Sequence, residues 1–85
     1  MTDDPDQTAT QVAAGAGVHA ARQLGNDLAG LLWRRQQEAT DPDDEANWRA
    51  ERAAVRARQR ELVPDSSAIA DALREWGGRI RELRA

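Results

Sequence analysis

The sequence predicts an all-α fold: an antiparallel helical hairpin followed by a third amphipathic helix. This small three-helix bundle is expected to assemble as a homo-oligomer. Three observations predict it. Alanine makes up about a fifth of the 85 residues, and the basic residues are all arginine, with no lysine, phenylalanine or tyrosine. Alanine, arginine, glutamate, glutamine and leucine all favour helix, and no alternating run of β-branched or aromatic residues suggests a strand. Finally, two breaks, "TDPDDE" at 40–45 and "VPDSS" at 63–67, separate three stretches whose apolar residues recur at helical spacing.

The first element is expected over about 8–39, behind an acidic tail at 1–7 that has nothing to bury. Thr8 or Thr10 can open it. Gly17, Ala21, Leu24, Leu28 and Leu31 recur in steps of four and three, and Val12 and Leu32 flank that face. Ala13, Gly17, Ala21 and Gly25 form a small-residue line that lets a neighbour approach closely. Each helical glycine costs about 1 kcal/mol against alanine, so fraying of the first turns is expected.

The second element, 42–62, carries the strongest local signal. Asp41 or Thr40 can cap it, Pro42 suits its first position, and Asp43, Asp44 and Glu45 face the positive end of the helix dipole. The short connection from the first helix implies an antiparallel hairpin. Trp48, Val55 and Leu62 lie within about 40° of one line, and Ala46, Ala50, Ala53 and Ala57 lie nearly opposite. A bulky stripe and a small stripe on opposite sides predict packing on both sides. Arg49, Arg52, Arg56 and Arg60 occupy the flank between them.

The third element, 66–84, follows Pro64, which disfavours helical geometry at Val63. Asp65 or Ser66 can cap it. Ile69, Leu73, Trp76, Ile80 and Leu83 fall within about 80° of arc. This seam resembles a coiled-coil seam, and so small a chain buries little surface alone. Both points suggest pairing between copies. The helical domain is thus expected over 8–85.

Composition excludes several functions. Without cysteine, neither a disulfide nor a thiolate metal site can form, and a single histidine, His19, does not make a metal site. No cofactor motif, phosphate loop or nucleophile motif occurs. The N-terminus "MTDDPDQT" is acidic and lacks an apolar leader region. His19, Arg22, Asn26 and Asp27 interrupt the apolar stretch at 12–32, which rules it out as a membrane span. A cytoplasmic protein is expected, and the alanine- and arginine-rich composition suggests bacterial coding.

Net charge is −3, unevenly spread. Residues 1–45 hold nine acids and three arginines, and residues 46–85 six acids and nine arginines. Five arginines fall between Arg49 and Arg60. Such a flank can grip an acidic protein or a phosphate backbone. An isoelectric point of about 5.0 argues against a nucleic-acid binder, whose domains usually lie above about 9. Trp33, between Leu32 and Arg34, reads as a rim residue at the end of a core.

The expected function is a non-enzymatic, self-associating protein–protein interaction module of the kind used by small bacterial regulators, adaptors or antitoxin-like neutralising proteins. Ile69, Leu73, Trp76, Ile80 and Leu83 would form its docking ridge, with Arg49, Arg52, Arg56 and Arg60 giving orientation. The first alternative is a nucleic-acid-binding regulator that uses the Arg49–Arg60 flank. The second comes from "LLWRR" at 31–35 and the three-helix layout, which resemble all-helical chorismate mutases. That resemblance implies a dimeric bundle holding a dianionic substrate with arginines and a lysine, Arg34 or Arg35 standing for one arginine. The chain departs from the pattern in having no lysine and a glycine at position 17.

Overall fold

The computed structural model describes residues 5–64 and 67–85, with side chains from residue 17 onward. Three helices are present: α1 (Pro5–Glu38), α2 (Pro42–Glu61) and α3 (Ser67–Arg84). The protein is an all-α bundle in which α1 packs against both α2 and α3.

Helix α1 begins at Pro5, earlier than Thr8, since proline is already set at the helical φ of a first turn. The residues 5–7 of the expected tail therefore belong to the helix, and residues 1–4 lie outside the described part. The glycines do not interrupt α1. Helix α2 starts as its sequence dictates. Asp41 adopts an extended conformation, φ −98° and ψ 127°, and its side chain accepts from the Asp43 amide at 3.0 Å. Asp41→Ala is expected to cost about 1 kcal/mol and lower the melting temperature by about 5 °C in a calorimetric scan. Leu62 returns to extended geometry, φ −71° and ψ 128°, and ends α2 two residues before Pro64. The expected α3 caps, Asp65 and Ser66, lie outside the described residues.

Helix α3 buries Ile69, Ala72, Trp76, Ile80 and Leu83, with Leu73 half-buried at the margin of the same face. It runs unbroken through Gly77 and Gly78. A Cβ at Gly77 would make ordinary contact with Leu24, and one at Gly78 would meet nothing.

The buried surface of α1 is broader than one heptad seam. Val18, Ala21, Leu28, Ala29 and Leu32 are buried, while Leu24 and Leu31 pack at the edge of the core. The reason is that α1 meets two neighbours in different directions. Gly17 faces Ile69 and Leu24 faces Gly77, both of α3, whereas Gly25 faces Gln59 of α2. Residues 17, 21, 24, 28 and 31 trace the α3 side, and 18, 25, 29 and 32 the α2 side, about 80–100° further around.

Helix α2 differs from expectation. Val55 and Leu62 are buried and Trp48 is half-buried against the core, but of the small stripe Ala46, Ala50 and Ala53 are exposed and Ala57 is half-buried. Most of the small stripe is exposed because α3 docks on α1, not behind α2. No Cα of α2 lies within 8 Å of a Cα of α3.

Long side chains bridge that gap. Arg79 makes a two-pronged pair with Glu51, Nε–Oε2 at 2.8 Å and Nη2–Oε1 at 3.0 Å, and also reaches Glu82 at 3.0 Å. These hydrogen bonds, that to Glu51 foremost, hold the Arg79 guanidinium above its already high ordinary pKa. Arg58 pairs with Glu75. Arg58 also lies over the Trp76 ring and Arg79 over the Trp48 ring, at 5.5 and 5.6 Å from the centroids. Trp76 and Trp48 thus each carry a cation on the ring face.

Among the described residues no helix is long and apolar enough to cross a membrane. Among the same residues no group of three or more histidine, aspartate or glutamate side chains is placed to hold a metal. Gly30 is exposed and a Cβ there would meet nothing within 4 Å. Gly30→Ala is therefore expected to stabilise the fold by about 1 kcal/mol through helix propensity, read as a raised denaturation midpoint with an unchanged slope.

Candidate functional site

The two sets of expected binding residues have different fates. The ridge on α3 is covered. Ile69, Trp76, Ile80 and Leu83 are buried and Leu73 is half-buried, all within the core cluster of the same chain. Its apolar surface packs into the chain's own core.

The arginine flank faces outward. Glu51 and Arg58, which pair with α3, lie on one side of the buried line of α2. Arg49, Arg52, Arg56 and Arg60 lie on the other, within about 80° of arc. Arg49 is exposed and paired with Glu45, one turn earlier. Among the described residues neither Arg52 nor Arg60 has a hydrogen bond or ion pair to the protein. Arg56 donates from Nη1 to Asn26 Oδ1 at 2.7 Å and to Gln59 Oε1 at 3.1 Å.

Gln59 organises this end of the flank. It sits in the apolar line of α2 between Val55 and Leu62 and is 8% exposed. A buried amide needs partners for both of its polar ends. Gln59 Nε2 donates to the Arg22 carbonyl at 2.7 Å and to Asn26 Oδ1 at 3.1 Å, and its Oε1 takes the bond from Arg56. Gly25 makes this possible. A Cβ there would fall 2.5 Å from Gln59 Nε2 and 2.9 Å from its Cγ. The close approach expected along the small-residue line is therefore made by a glutamine side chain, seated in a glycine notch.

Around this lock lies an open groove of about 530 Å³ lined by Arg22, Asn26, Arg56, Gln59 and Arg60. Among the described residues its lining has three guanidinium groups and no carboxylate. Arg22 is engaged only by a long bond, 3.4 Å, to the Leu62 carbonyl at the end of α2. The same register extends the face along the hairpin. Counting seven residues on from Asn26 in α1 and seven back from Arg56 in α2 sets Trp33 level with Arg49. Comparison with protein families, with curated proteins and with solved structures found no match to this chain.

Trp33 is 48% exposed and is not part of the core. Expected as a rim residue, it stands instead on the arginine face, because its position on α1 points past the flank of α2 that faces away from α3. Arg34 and Arg35, which carry the chorismate-mutase resemblance, lie elsewhere. They line a separate groove of about 430 Å³ with Leu31, Glu38, Leu83 and Arg84. Arg35 there donates to the Leu83 carbonyl at 2.7 Å, satisfying the end of α3. The converging arginines of the larger groove are different residues. Among the described residues that line that groove there is no acid, histidine or hydroxyl.

Arg22 and Gln59 were not singled out by sequence reasoning as site residues. One signal was present. A glutamine interrupts the apolar line of α2, and a helical glycine stands at Gly25 on the facing helix. Nothing in the spacing identifies Arg22, which is brought in by the antiparallel register alone.

Proposed function

We propose that the protein is a non-enzymatic helical interaction module that docks an acidic segment of a protein partner on the outer face of the α1–α2 hairpin. The observation that carries this reading is the groove of Arg22, Arg56 and Arg60, whose described lining holds no carboxylate, with Arg52, Arg49 and the exposed Trp33 set on the same face by helical register. A partly exposed tryptophan among arginines matches the residues that dominate binding energy at protein interfaces. Arginine suits paired carboxylates because its planar fork meets both oxygens. The acidic chain, net −3, makes a polyanionic duplex a poorer partner than a short acidic helix or strand. A second copy would be a poor occupant of the same strip, since it would set arginines against arginines. A small regulator, adaptor or neutralising partner would use such a surface.

A labelled glutamate-rich helical peptide, followed by fluorescence anisotropy, tests the reading. Binding is expected to weaken as salt rises and to fall by about tenfold or more on Arg52→Glu with Arg56→Glu. Absence of binding would overturn it. Tighter binding of a single-stranded oligonucleotide at equal ionic strength would move the assignment to nucleic acid.

A further inference from the structure

We infer that the groove of Arg22, Asn26, Arg56, Gln59 and Arg60 is a discrete subsite for a compact, doubly charged oxyanion, a phosphoryl group or a pair of carboxylates. The inference rests on the arginine face being the docking surface and specifies which chemical group its strongest point accepts.

The donor inventory leads there. Asn26 Oδ1 already accepts two hydrogen bonds, from Arg56 and Gln59. Those two bonds fix which way its amide faces, and among the described residues Asn26 Nδ2 has no protein partner. Arg60 is free, Arg22 makes one long bond, and Arg56 uses one nitrogen on neutral oxygens. The groove is thus rich in donors, and among the described residues no carboxylate in its lining competes for them. Glu61, next to Arg60 in sequence, points about 100° further around α2. The other arginine clusters differ. Arg49, Arg58, Arg74 and Arg79 are paired with carboxylates, and the Arg34–Arg35–Arg84 groove includes Glu38.

The groove is also organised in advance. Arg56 is held by Asn26 and Gln59, and Gln59 is buried, seated over Gly25 and tied to the Arg22 carbonyl. A guanidinium fixed by its neighbours loses less freedom when an oxyanion arrives than one on a free stem. Gln59 acts as a positioning residue and touches no ligand itself. Three guanidinium groups and an amide lining one groove can satisfy the several lone pairs of a phosphoryl group or of two adjacent carboxylates.

The test uses the full chain at constant ionic strength, titrated separately with pyrophosphate and with citrate while the arginine Nε–Hε signals are followed by NMR. Saturable shifts confined to Arg22, Arg56 and Arg60, with Arg34 and Arg84 unmoved, are expected. The tighter of the two ligands identifies the source as phosphoryl or carboxylate. Arg60→Gln is expected to weaken binding about tenfold, the loss of a charge-assisted hydrogen bond, with the melting temperature unchanged because Arg60 has no protein partner. Gln59→Leu keeps the volume buried and is expected to weaken binding while Arg56 loses its distinct resonance position. Non-saturating shifts spread evenly over all exposed arginines would overturn the subsite. If those shifts are diffuse while the acidic peptide still binds, the subsite falls and the docking face stands. If the anions saturate the groove but fail to displace bound peptide, the subsite stands and the docking face falls.

Discussion

Trp76→Ala is expected to remove about 4 kcal/mol of stability, the usual cost of truncating a large buried aromatic. Trp76 is 4% exposed and comes from α3, yet it lines the same small groove as Leu28 of α1 and Val55 of α2. It is the side chain at which all three helices meet, and Arg58 lies across its face. A domain of this length has a total stability of about 4–13 kcal/mol. The variant should therefore lie near or below the threshold of folding. Circular dichroism with a urea titration checks this, and the matched control is Trp33→Ala. Trp33 is exposed, so its loss should shift the midpoint by no more than about 0.5 kcal/mol. Similar losses from both substitutions would mean that the bundle does not close around Trp76.

Gly25→Val is expected to cost about 3 kcal/mol and to abolish oxyanion binding together with it. Helix propensity alone would make almost any substitution at a helical glycine favourable by up to about 1 kcal/mol. Here the new side chain would overlap Gln59 from Nε2 to Cγ. Either Gln59 leaves its seat, stripping the bonds to the Arg22 carbonyl, Asn26 and Arg56, or the hairpin parts. Gly25→Ala gives a sharper reading through a double-mutant cycle with Gln59→Ala. In the native background the alanine at 25 should destabilise. With Gln59 shortened it should stabilise by about 1 kcal/mol, its propensity no longer opposed. An alanine at 25 that stabilises in both backgrounds would show that Gln59 does not occupy the notch.

The helices were legible in the sequence because their signals are local. Asp41, Pro42 and the acids after them start α2, Pro64 stops it, and the Ile69–Leu83 spacing defines α3. Each depends on a few neighbouring residues and on backbone sterics. Which face meets which helix was less legible. The Ala46–Ala50–Ala53 line looked like a contact surface, because small residues pack closely when a neighbour exists, but the same residues are also good helix formers on an exposed face. Whether α3 turns toward α2 or α1 depends on the connection after Leu62 and on Trp76 finding Leu28 and Val55. Neither is encoded in the spacing of α2 itself. The arginine flank was visible as a stripe. Its organising centre was not, because it requires knowing that Gly25 and Gln59 stand opposite each other. Arg22, thirty-four residues from Arg56 in sequence, joins the groove only through that register.

Because α2 and α3 each lean on α1 and meet only through side chains, protection from hydrogen–deuterium exchange should be unequal along the molecule. Amides between Ala21 and Leu32, sheltered from both directions, should exchange last and report global opening. Those on the outer side of α2, near Ala46 and Ala50, should trade deuterium through smaller local excursions. The middle of α1 is then the keel of the molecule, and the other two helices can loosen singly before it gives way.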